Sequence, residues 1–177
     1  MRKLKNAELN RLDIDGYKRA EKNPVVIVLD NIRSLNNIGS IFRTADAFRV
    51  EAIYLCGITA QPPHRDIHKT ALGATDSVNW KYFKTTEEAI SELKTKNYVI
   101  IALEQAEGSV MLNKFYPDPN QSYVVILGNE VHGIEQKIVD ISDHCVEIPQ
   151  FGTKHSLNVT VSNGIILWDI LLKLNVL

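Results

Sequence analysis

Residues 124–133 read VVILGNEVHG. The apolar run at its start predicts a buried strand of a parallel sheet, and the strand leads into a loop that holds two glycines and the carboxylate of Glu130. In open α/β sheets, ligands bind outside the carboxyl ends of the strands. Taken alone, the same stretch fits an ordinary strand-to-helix turn. The rest of the chain must therefore decide between such a turn and a ligand-binding loop.

Short apolar runs alternate with helical patterns on both sides of this stretch. Strands are predicted over residues 25–29, 52–55, 77–83, 98–103, 123–127 and 145–148, and helices over 36–48, 67–72, 87–96, 135–141 and 159–174. Thr85 and Glu88 predict a capping box at the start of helix 87–96. This alternation is the signature of an α/β fold, a mostly parallel sheet with helices on both faces.

Length and composition fit one soluble domain. The chain has 177 residues, of which 45% are hydrophobic and 23% are charged. A chain of this length can bury a core without disulfides or metals. Residues 1–22 are predicted to form an N-terminal basic extension, and residues 23–177 the domain itself. No apolar run is long enough to span a membrane, and residues 1–22 lack the apolar centre of a signal peptide.

Cysteine usage, net charge and missing motifs argue against several further classes of protein. Cys56 and Cys145 have no cysteine neighbours, which argues against disulfides and metal sites and favours the cytoplasm. The net charge of −1 argues against coating nucleic acid by bulk charge, but it leaves local basic patches at residues 1–22 and 64–69. The glycine-rich loops that bind dinucleotides and triphosphates are absent from the sequence.

The segment 36–45, NNIGSIFRTA, is predicted to begin a helix with an apolar stripe on one side. Arg43 falls on the opposite side and leans over Gly39, one turn earlier, where the missing side chain leaves room for a ligand or a backbone. Amide groups at the beginning of the helix, together with the guanidinium, suit a phosphate. A capped surface helix with a solvated arginine explains the same pattern.

The segment 148–158, IPQFGTKHSLN, is predicted to be a loop that leads into the last helix. Ser156 or Asn158 could cap that helix. His155 beside Ser156 invites comparison with hydrolases, but adjacent side chains rarely face each other and no G-x-S-x-G elbow surrounds the serine. His155 is therefore predicted to be a surface residue.

Together, these three segments resemble the three motifs of the SpoU (TrmH-like) RNA ribose 2′-O-methyltransferases, a family of the SPOUT superfamily. The motifs occur in the family's order and spacing, and the resemblance covers about residues 25–174, including the stretch KTALGA at 69–74. Two positions depart from the pattern. Gln150 stands where methionine is common, and Asn163 stands where a small residue is common.

The resemblance implies a SPOUT-type α/β knot, in which residues 124–174 form a C-terminal trefoil knot. It also implies that S-adenosyl-L-methionine binds in the knot, held largely by backbone groups. This cofactor is a cation without phosphates, so it needs no phosphate cradle. By the resemblance, the cofactor-binding residues are Leu103, Leu127, Gly128, Ile148 and Leu157.

The resemblance further implies a homodimer with each active site built across the interface. The last helix is consistent with this, because its apolar residues exceed what one amphipathic face needs. They are Leu157, Val161, Ile165, Trp168, Leu171 and Leu172.

The catalytic residues implied by the resemblance are Arg43, Asn37, Glu130, Ser156 and Asn158, and the substrate is tRNA or rRNA. In the family's proposed mechanism, the arginine activates the ribose hydroxyl. Because arginine stays protonated in proteins, we expect Arg43 instead to bind an RNA phosphate and stabilise the developing alkoxide. Asn37 and Glu130 are expected to orient Arg43, while Ser156 and Asn158 shape the loop around the ribose.

Three alternatives stay open at this point. The chain could be an RNA-binding module with this fold and no turnover, although the presence of Arg43 and Glu130 argues against it. It could be a SPOUT enzyme that methylates a base, although SpoU-type motifs favour ribose. A different α/β enzyme is disfavoured because the phosphate loops and the nucleophile elbow are missing.

Overall fold

The computed structural model describes residues 1–177, apart from the side chain of Asn6. The strands are β1 (Asn23–Asp30), β2 (Val50–Cys56), β3 (Trp80–Phe83), β4 (Val99–Leu103), β5 (Val110–Met111), β6 (Tyr123–Leu127) and β7 (His144–Glu147). The helices are α1 (Ile14–Arg19), α2 (Leu35–Ala47), α3 (Arg65–Ala71), α4 (Ala74–Ser77), α5 (Thr86–Thr95), α6 (Gln136–Asp140) and α7 (Val159–Lys173), with 3₁₀ turns at Asn6–Glu8 and Leu112–Lys114. Among the described residues, no helix is both long and apolar enough to cross a bilayer.

The strands form one sheet in the order β3-β2-β1-β6-β4-β7-β5. Each of the observed strand pairings is parallel. The central strands β1 and β6 are buried along nearly their whole length, which is why they read as continuous β-branched and aliphatic runs rather than as alternating patterns. The predicted α/β class, a mostly parallel sheet with helices, is confirmed.

Two apolar clusters cover the two faces of the sheet. On one face α1, α2, α3, α4 and α7 pack on side chains such as Ile27 and Val125. On the other face α5 and α6 pack on side chains such as Val28 and Ile126. The chain that leaves β1 therefore enters a helix on one face, while the chain that leaves β6 enters a helix on the opposite face. A crevice opens between such strands at their carboxyl ends.

Helix α2 forms as the sequence predicts. The Ser34 hydroxyl caps it by accepting a hydrogen bond from the Asn37 amide, at 3.3 Å. The predicted apolar stripe is fully buried, namely Ile38, Ile41, Phe42 and Ala45. The helix ends at Ala47, and Arg49 then turns the chain into β2 with a left-handed φ of 45°.

Two predicted elements need correction. Ser77 belongs to α4 and not to a strand over 77–83, because its hydroxyl donates to the Asp46 carboxylate of α2 at 2.5 Å and holds that short helix in place. The capping box of α5 is only half formed. The Thr85 hydroxyl accepts from the Glu88 amide as predicted, but the Glu88 carboxylate accepts from the amide of Lys84, one residue before the cap.

The N-terminal segment contains a helix that the sequence analysis did not predict. Asp13 caps α1 by accepting from the Gly16 amide at 2.6 Å. Tyr17 of α1 is only 5% exposed and belongs to the main apolar cluster. The Lys22 ammonium donates to the carbonyl groups of Tyr17 and Ala20, which closes the segment onto the start of β1.

Candidate active site

The loops that follow β4, β6 and β7 line a cleft with a volume of about 680 Å³. This lies within the range of roughly 300–1,000 Å³ that small-molecule sites occupy. The wall contains all five predicted cofactor residues and three of the predicted catalytic ones, namely Leu103, Leu127, Gly128, Ile148, Leu157, Glu130, Ser156 and Asn158. Residues from three distant segments thus meet at the carboxyl edge of the sheet.

The loop after β6 closes on itself. The backbone groups of Asn129 and Gly133 exchange two hydrogen bonds, at 3.1 and 2.9 Å. A Cβ on Gly128 would lie 2.4 Å from the carbonyl carbon of Gly133, so only glycine fits there. The Asn129 amide nitrogen also donates to the Asn31 carbonyl at 2.7 Å, which fastens this loop to the loop after β1.

Glu130 connects the same loop to the beginning of α2. Its carboxylate accepts hydrogen bonds from the amides of Arg33 and Ser34 and from the Asn37 side chain, each at 3.0 Å. Burial alone would raise the pKa of Glu130, but these hydrogen bonds outweigh it and hold the pKa below the usual range. The amides of Arg33 and Ser34, just before α2, therefore bind the Glu130 carboxylate. The sequence had instead indicated that amides at this end of the helix suit a phosphate.

Asn158 brings the third segment to the same point. Its side-chain amide lies 3.4 Å from the Asn37 side-chain oxygen, and its own oxygen accepts from the Thr160 amide at 2.8 Å. Asn158 is therefore the cap of α7, one of the two caps the sequence predicted. Asn37, Glu130 and Asn158, which are far apart in the chain, form one hydrogen-bonded group.

Arg43 lies exposed on α2, and it is not one of the residues that line the cleft. The hydrogen bonds of Asn37 and Glu130 run to each other and to neighbouring loops, not to the guanidinium. The room over Gly39 is filled by the backbone of α3, because a Cβ there would lie 2.3 Å from the Ile67 carbonyl oxygen. The expected orientation of Arg43 by Asn37 and Glu130 stays a prediction.

Ser156 and His155 lie exposed in the loop before α7, and both border the cleft. Ser156 does not cap α7, since Asn158 does. The His155 carbonyl accepts a hydrogen bond from the Gln105 side chain at 2.6 Å.

Glu104 and Gln105 are among the residues of the cleft that the sequence did not predict. Both line it, directly after β4. The signal that could have found them is their position, because polar side chains that follow a buried parallel strand stand at the ligand-binding edge of the sheet.

The chemistry of the wall suits a cation with apolar parts. Four of the predicted cofactor residues are aliphatic, and Glu104, Glu130 and Glu147 add carboxylates. Within the part of the chain that the structure describes, no cluster of three or more His, Cys, Asp or Glu side chains could hold a metal ion.

Comparison with known proteins decides the family. The sequence model of the SpoU rRNA Methylase family matches residues 24–168. The chain belongs to the SpoU methylase family. The match includes the segments 36–45, 124–133 and 148–158.

Two curated relatives and one solved structure illustrate the membership in the SpoU family. The chain is 30% identical over 153 residues to the 23S rRNA (guanosine-2′-O-)-methyltransferase RlmB of Neisseria meningitidis, covering 86% of this chain and 60% of that protein. It is 30% identical over 149 residues to the tRNA (guanosine(18)-2′-O)-methyltransferase of Aquifex aeolicus, covering 82% and 67%.

The solved structure is the AdoMet-bound rRNA methyltransferase of Sinorhizobium meliloti. It superposes with a TM-score of 0.77 at 27% identity, covering 84% of this chain and 56% of that one. The chain thus spans 60% of the Neisseria protein's length and 56% of the crystallised chain's.

Proposed function

We propose that the chain transfers a methyl group from S-adenosyl-L-methionine to a ribose 2′-hydroxyl of tRNA or rRNA. The observation that carries the proposal is the convergence of the SpoU-type segments at the carboxyl edge of the sheet. Residues of 124–133 and 148–158 line one cleft, and Asn37 of the segment 36–45 is hydrogen-bonded to Glu130 and Asn158 of the other two. Membership in the family and the similarity to two RNA 2′-O-methyltransferases support the same activity.

The cleft is the proposed site of the methyl donor. Leu103, Leu127, Ile148 and Leu157 offer apolar contacts to the donor, and Gly128 lets it approach the backbone. Bound there, S-adenosylmethionine supplies an already activated methyl group. The protein then has to orient the ribose hydroxyl and stabilise the charge that develops as the proton leaves.

Arg43 is the proposed catalytic residue. A guanidinium stays positively charged, so it is suited to bind an RNA phosphate and to stabilise a developing alkoxide rather than to act as a base. Asn37, Glu130 and Asn158 fix the beginning of α2 and α7 beside the cleft, and Ser156 contributes to the wall that faces the ribose.

A homodimer is part of the proposal. An apolar groove of about 730 Å³ runs beside α7. Val161 and Trp168 of this helix are 49% and 56% exposed, which is costly for side chains of this size unless a second copy covers them. The Trp168 ring packs in a T-shaped arrangement with Phe48, which directly follows α2, the helix that carries Arg43. In the proposed dimer, Arg43 serves the cleft of the partner subunit.

Three finer features complete the proposal. The segment 124–174 is proposed to form the trefoil knot on the strength of the family resemblance. Residues 1–22 are proposed to be a basic extension of the domain 23–177. The protein is proposed to act in the cytoplasm.

The test compares Arg43→Ala and Arg43→Lys with the unmodified protein. Donor binding is measured by calorimetry, and turnover is measured with labelled donor and total RNA from a strain that lacks the gene, followed by digestion to nucleosides. Both variants are expected to bind the donor and to lose turnover. The unmodified protein should yield a 2′-O-methyl nucleoside.

Other outcomes decide against the proposal. Unchanged turnover in Arg43→Ala removes the arginine from the mechanism. A methylated base instead of a methylated ribose favours a SPOUT base methyltransferase. Binding of RNA without any binding of the donor favours an RNA-binding module.

A further inference from the structure

The end of β4 occupies a central place among the loops of the cleft. In the sheet, β4 lies between β6 and β7, and the loops that follow these two neighbours form opposite walls of the cleft. The first two residues after β4 are Glu104 and Gln105. Their side chains are therefore placed to reach both walls.

Glu104 holds the wall that follows β6. Its half-buried carboxylate accepts a hydrogen bond from the Ile134 amide at 2.9 Å, while its other oxygen accepts from the Gln105 amide at 2.8 Å. The fit to this loop is close. A Cβ on Gly133, whose φ is +67°, would lie 2.3 Å from the Glu104 carboxylate.

Gln105 holds the opposite wall. Its side-chain NH₂ group donates to the His155 carbonyl at 2.6 Å. Residues 151–157 are exposed throughout, so little packing fixes this part of the loop. The hydrogen bond from Gln105 is therefore one of the few interactions that order this part of the loop against chain entropy.

We propose that Glu104 and Gln105 are positioning residues that set the shape of the cleft for the methyl donor. Glu104 acts through the Ile134 amide, and Gln105 acts through the His155 carbonyl. The proposal rests on the proposed function in one respect, namely that the donor binds in this cleft. Walls held in place before binding strengthen affinity, since the donor does not then have to order them.

The hydrogen bonds can be tested separately from the charges. Glu104→Gln keeps an oxygen that can accept from Ile134, whereas Glu104→Ala removes it. Gln105→Glu keeps the size of the side chain but loses the donor to His155. Glu107→Ala is the matched control, because Glu107 is an exposed carboxylate in the same loop that does not line the cleft.

The first measurement is calorimetric binding of S-adenosylmethionine, combined with steady-state kinetics. Glu104→Ala and Gln105→Glu should each weaken donor binding about tenfold, which is the size of one lost hydrogen bond. They should raise the KM for the donor while kcat at saturation changes little. Glu104→Gln and Glu107→Ala should stay close to the unmodified protein.

The second measurement is hydrogen exchange of the protein without donor. Residues 151–157 should exchange faster in Gln105→Glu, and the loop around Ile134 should exchange faster in Glu104→Ala. This arm is independent of the proposed function. If the unmodified protein does not bind the donor, the proposed function fails, while the exchange data still decide whether the two residues hold the walls.

Two results would overturn the proposal. One is donor affinity and loop exchange in Glu104→Ala and Gln105→Glu that equal those of Glu107→Ala. The other is a Glu104→Gln variant that binds S-adenosylmethionine as weakly as Glu104→Ala does, but normally binds the demethylated product, which lacks the sulfonium charge. That pattern would assign to Glu104 a direct attraction for the sulfonium charge instead of a positioning role.

Discussion

At the scale of single residues, Glu130 links the loop after β6 to the beginning of α2. Burial raises its pKa, but the hydrogen bonds from Arg33, Asn37 and Ser34 together outweigh burial and hold the pKa below the usual range. A carboxylate with a lowered pKa stabilises the fold above the ordinary carboxyl pKa, and this contribution is lost as the pH falls through the lower, folded value. Because Glu130 is exposed, solvent screens the effect.

We therefore predict that Glu130→Gln lowers the free energy of unfolding by about 1 kcal/mol at pH 7. The difference from the unmodified protein should shrink as the pH falls below the ordinary carboxyl pKa and through the lower pKa of Glu130 in the folded protein, where the carboxyl group takes up its proton. Urea denaturation at a series of pH values measures this. A difference that stays constant over the whole range would show that ionisation of Glu130 is not involved.

Asn37, Glu130 and Asn158 could be predicted from the sequence because they belong to motifs with recognisable spacing. Their mutual hydrogen bonds could not, since spacing along the chain does not fix which side chains face each other. Glu104 and Gln105 were missed for a different reason. Their partners are a backbone amide and a backbone carbonyl, and such groups leave no mark in the sequence.

At the scale of elements, Gly39 determines how closely α3 packs on α2. A Cβ at this position would lie 2.3 Å from the Ile67 carbonyl oxygen and 3.0 Å from the Ala71 amide nitrogen. Both are backbone atoms, so relief requires α3 to move. Gly39→Ala should therefore lower the free energy of unfolding by about 1–3 kcal/mol despite the better helix propensity of alanine.

Ser40→Ala is the neighbouring control in the same helix. Its hydroxyl donates only to the Asn36 carbonyl, four residues earlier, and the change should cost less than about 1 kcal/mol. Guanidinium denaturation of the two variants compares them. Equal free energies of unfolding for Gly39→Ala and Ser40→Ala would mean that α3 can move away from α2 without loss of stability.

Helix α7 contains an amide that weakens it. Asn163 is fully buried, and within the described residues neither its side-chain nitrogen nor its oxygen has a hydrogen-bond partner. An unsatisfied buried polar group costs about 1–3 kcal/mol, and alanine is also the better helix former. Asn163→Ala should therefore raise the melting temperature of the protein without donor.

The matched control is Leu167→Ala, one turn further along α7. Leu167 is also fully buried but is apolar, so its truncation only opens a cavity and should cost about 2–5 kcal/mol. Thermal unfolding followed by circular dichroism compares the two variants. A lower melting temperature for Asn163→Ala would indicate that an internal water satisfies the amide.

Long elements were easier to predict than short ones. Helix α2 has 13 residues, which is enough to display its apolar period and its cap. Helix α1 has 6 residues and β5 has 2, so neither shows a period, and both depend on contacts that the sequence does not reveal. Tyr17, which inserts into the main cluster, is such a contact.

At the scale of the whole molecule, the sequence predicted the class of fold but not the order of its strands. Alternating strands and helices require a mostly parallel sheet. The central strands β1 and β6 are buried on both faces and consist of similar aliphatic residues, so their side chains do not specify which neighbour each one takes. The family resemblance, not the pattern, pointed to the cleft that this order creates.

The distribution of charge over the molecule leads to a prediction about RNA binding. Arg65 and Lys69 are exposed on α3, and Lys18 and Arg19 are exposed on α1. Both helices pack on the sheet face that carries α2 and Arg43. With a net charge of only −1, the proposed binding of RNA requires such local patches. RNA affinity should therefore fall as salt rises, because each phosphate that a basic side chain neutralises releases counterions.

Two basic pairs, Arg65 with Lys69 and Lys18 with Arg19, should account for part of that salt dependence. Replacing both members of either pair by alanine should reduce the slope of log affinity against log salt by about 0.7 for each single-strand phosphate that is no longer neutralised. Replacing Lys94 and Lys137 by alanine should leave the slope unchanged, because α5 and α6 lie on the opposite face of the sheet. Binding of labelled RNA, followed by anisotropy over a series of KCl concentrations, gives the slopes. If the control pair reduces the slope as much as the basic pairs do, the RNA does not approach from the face that carries Arg43.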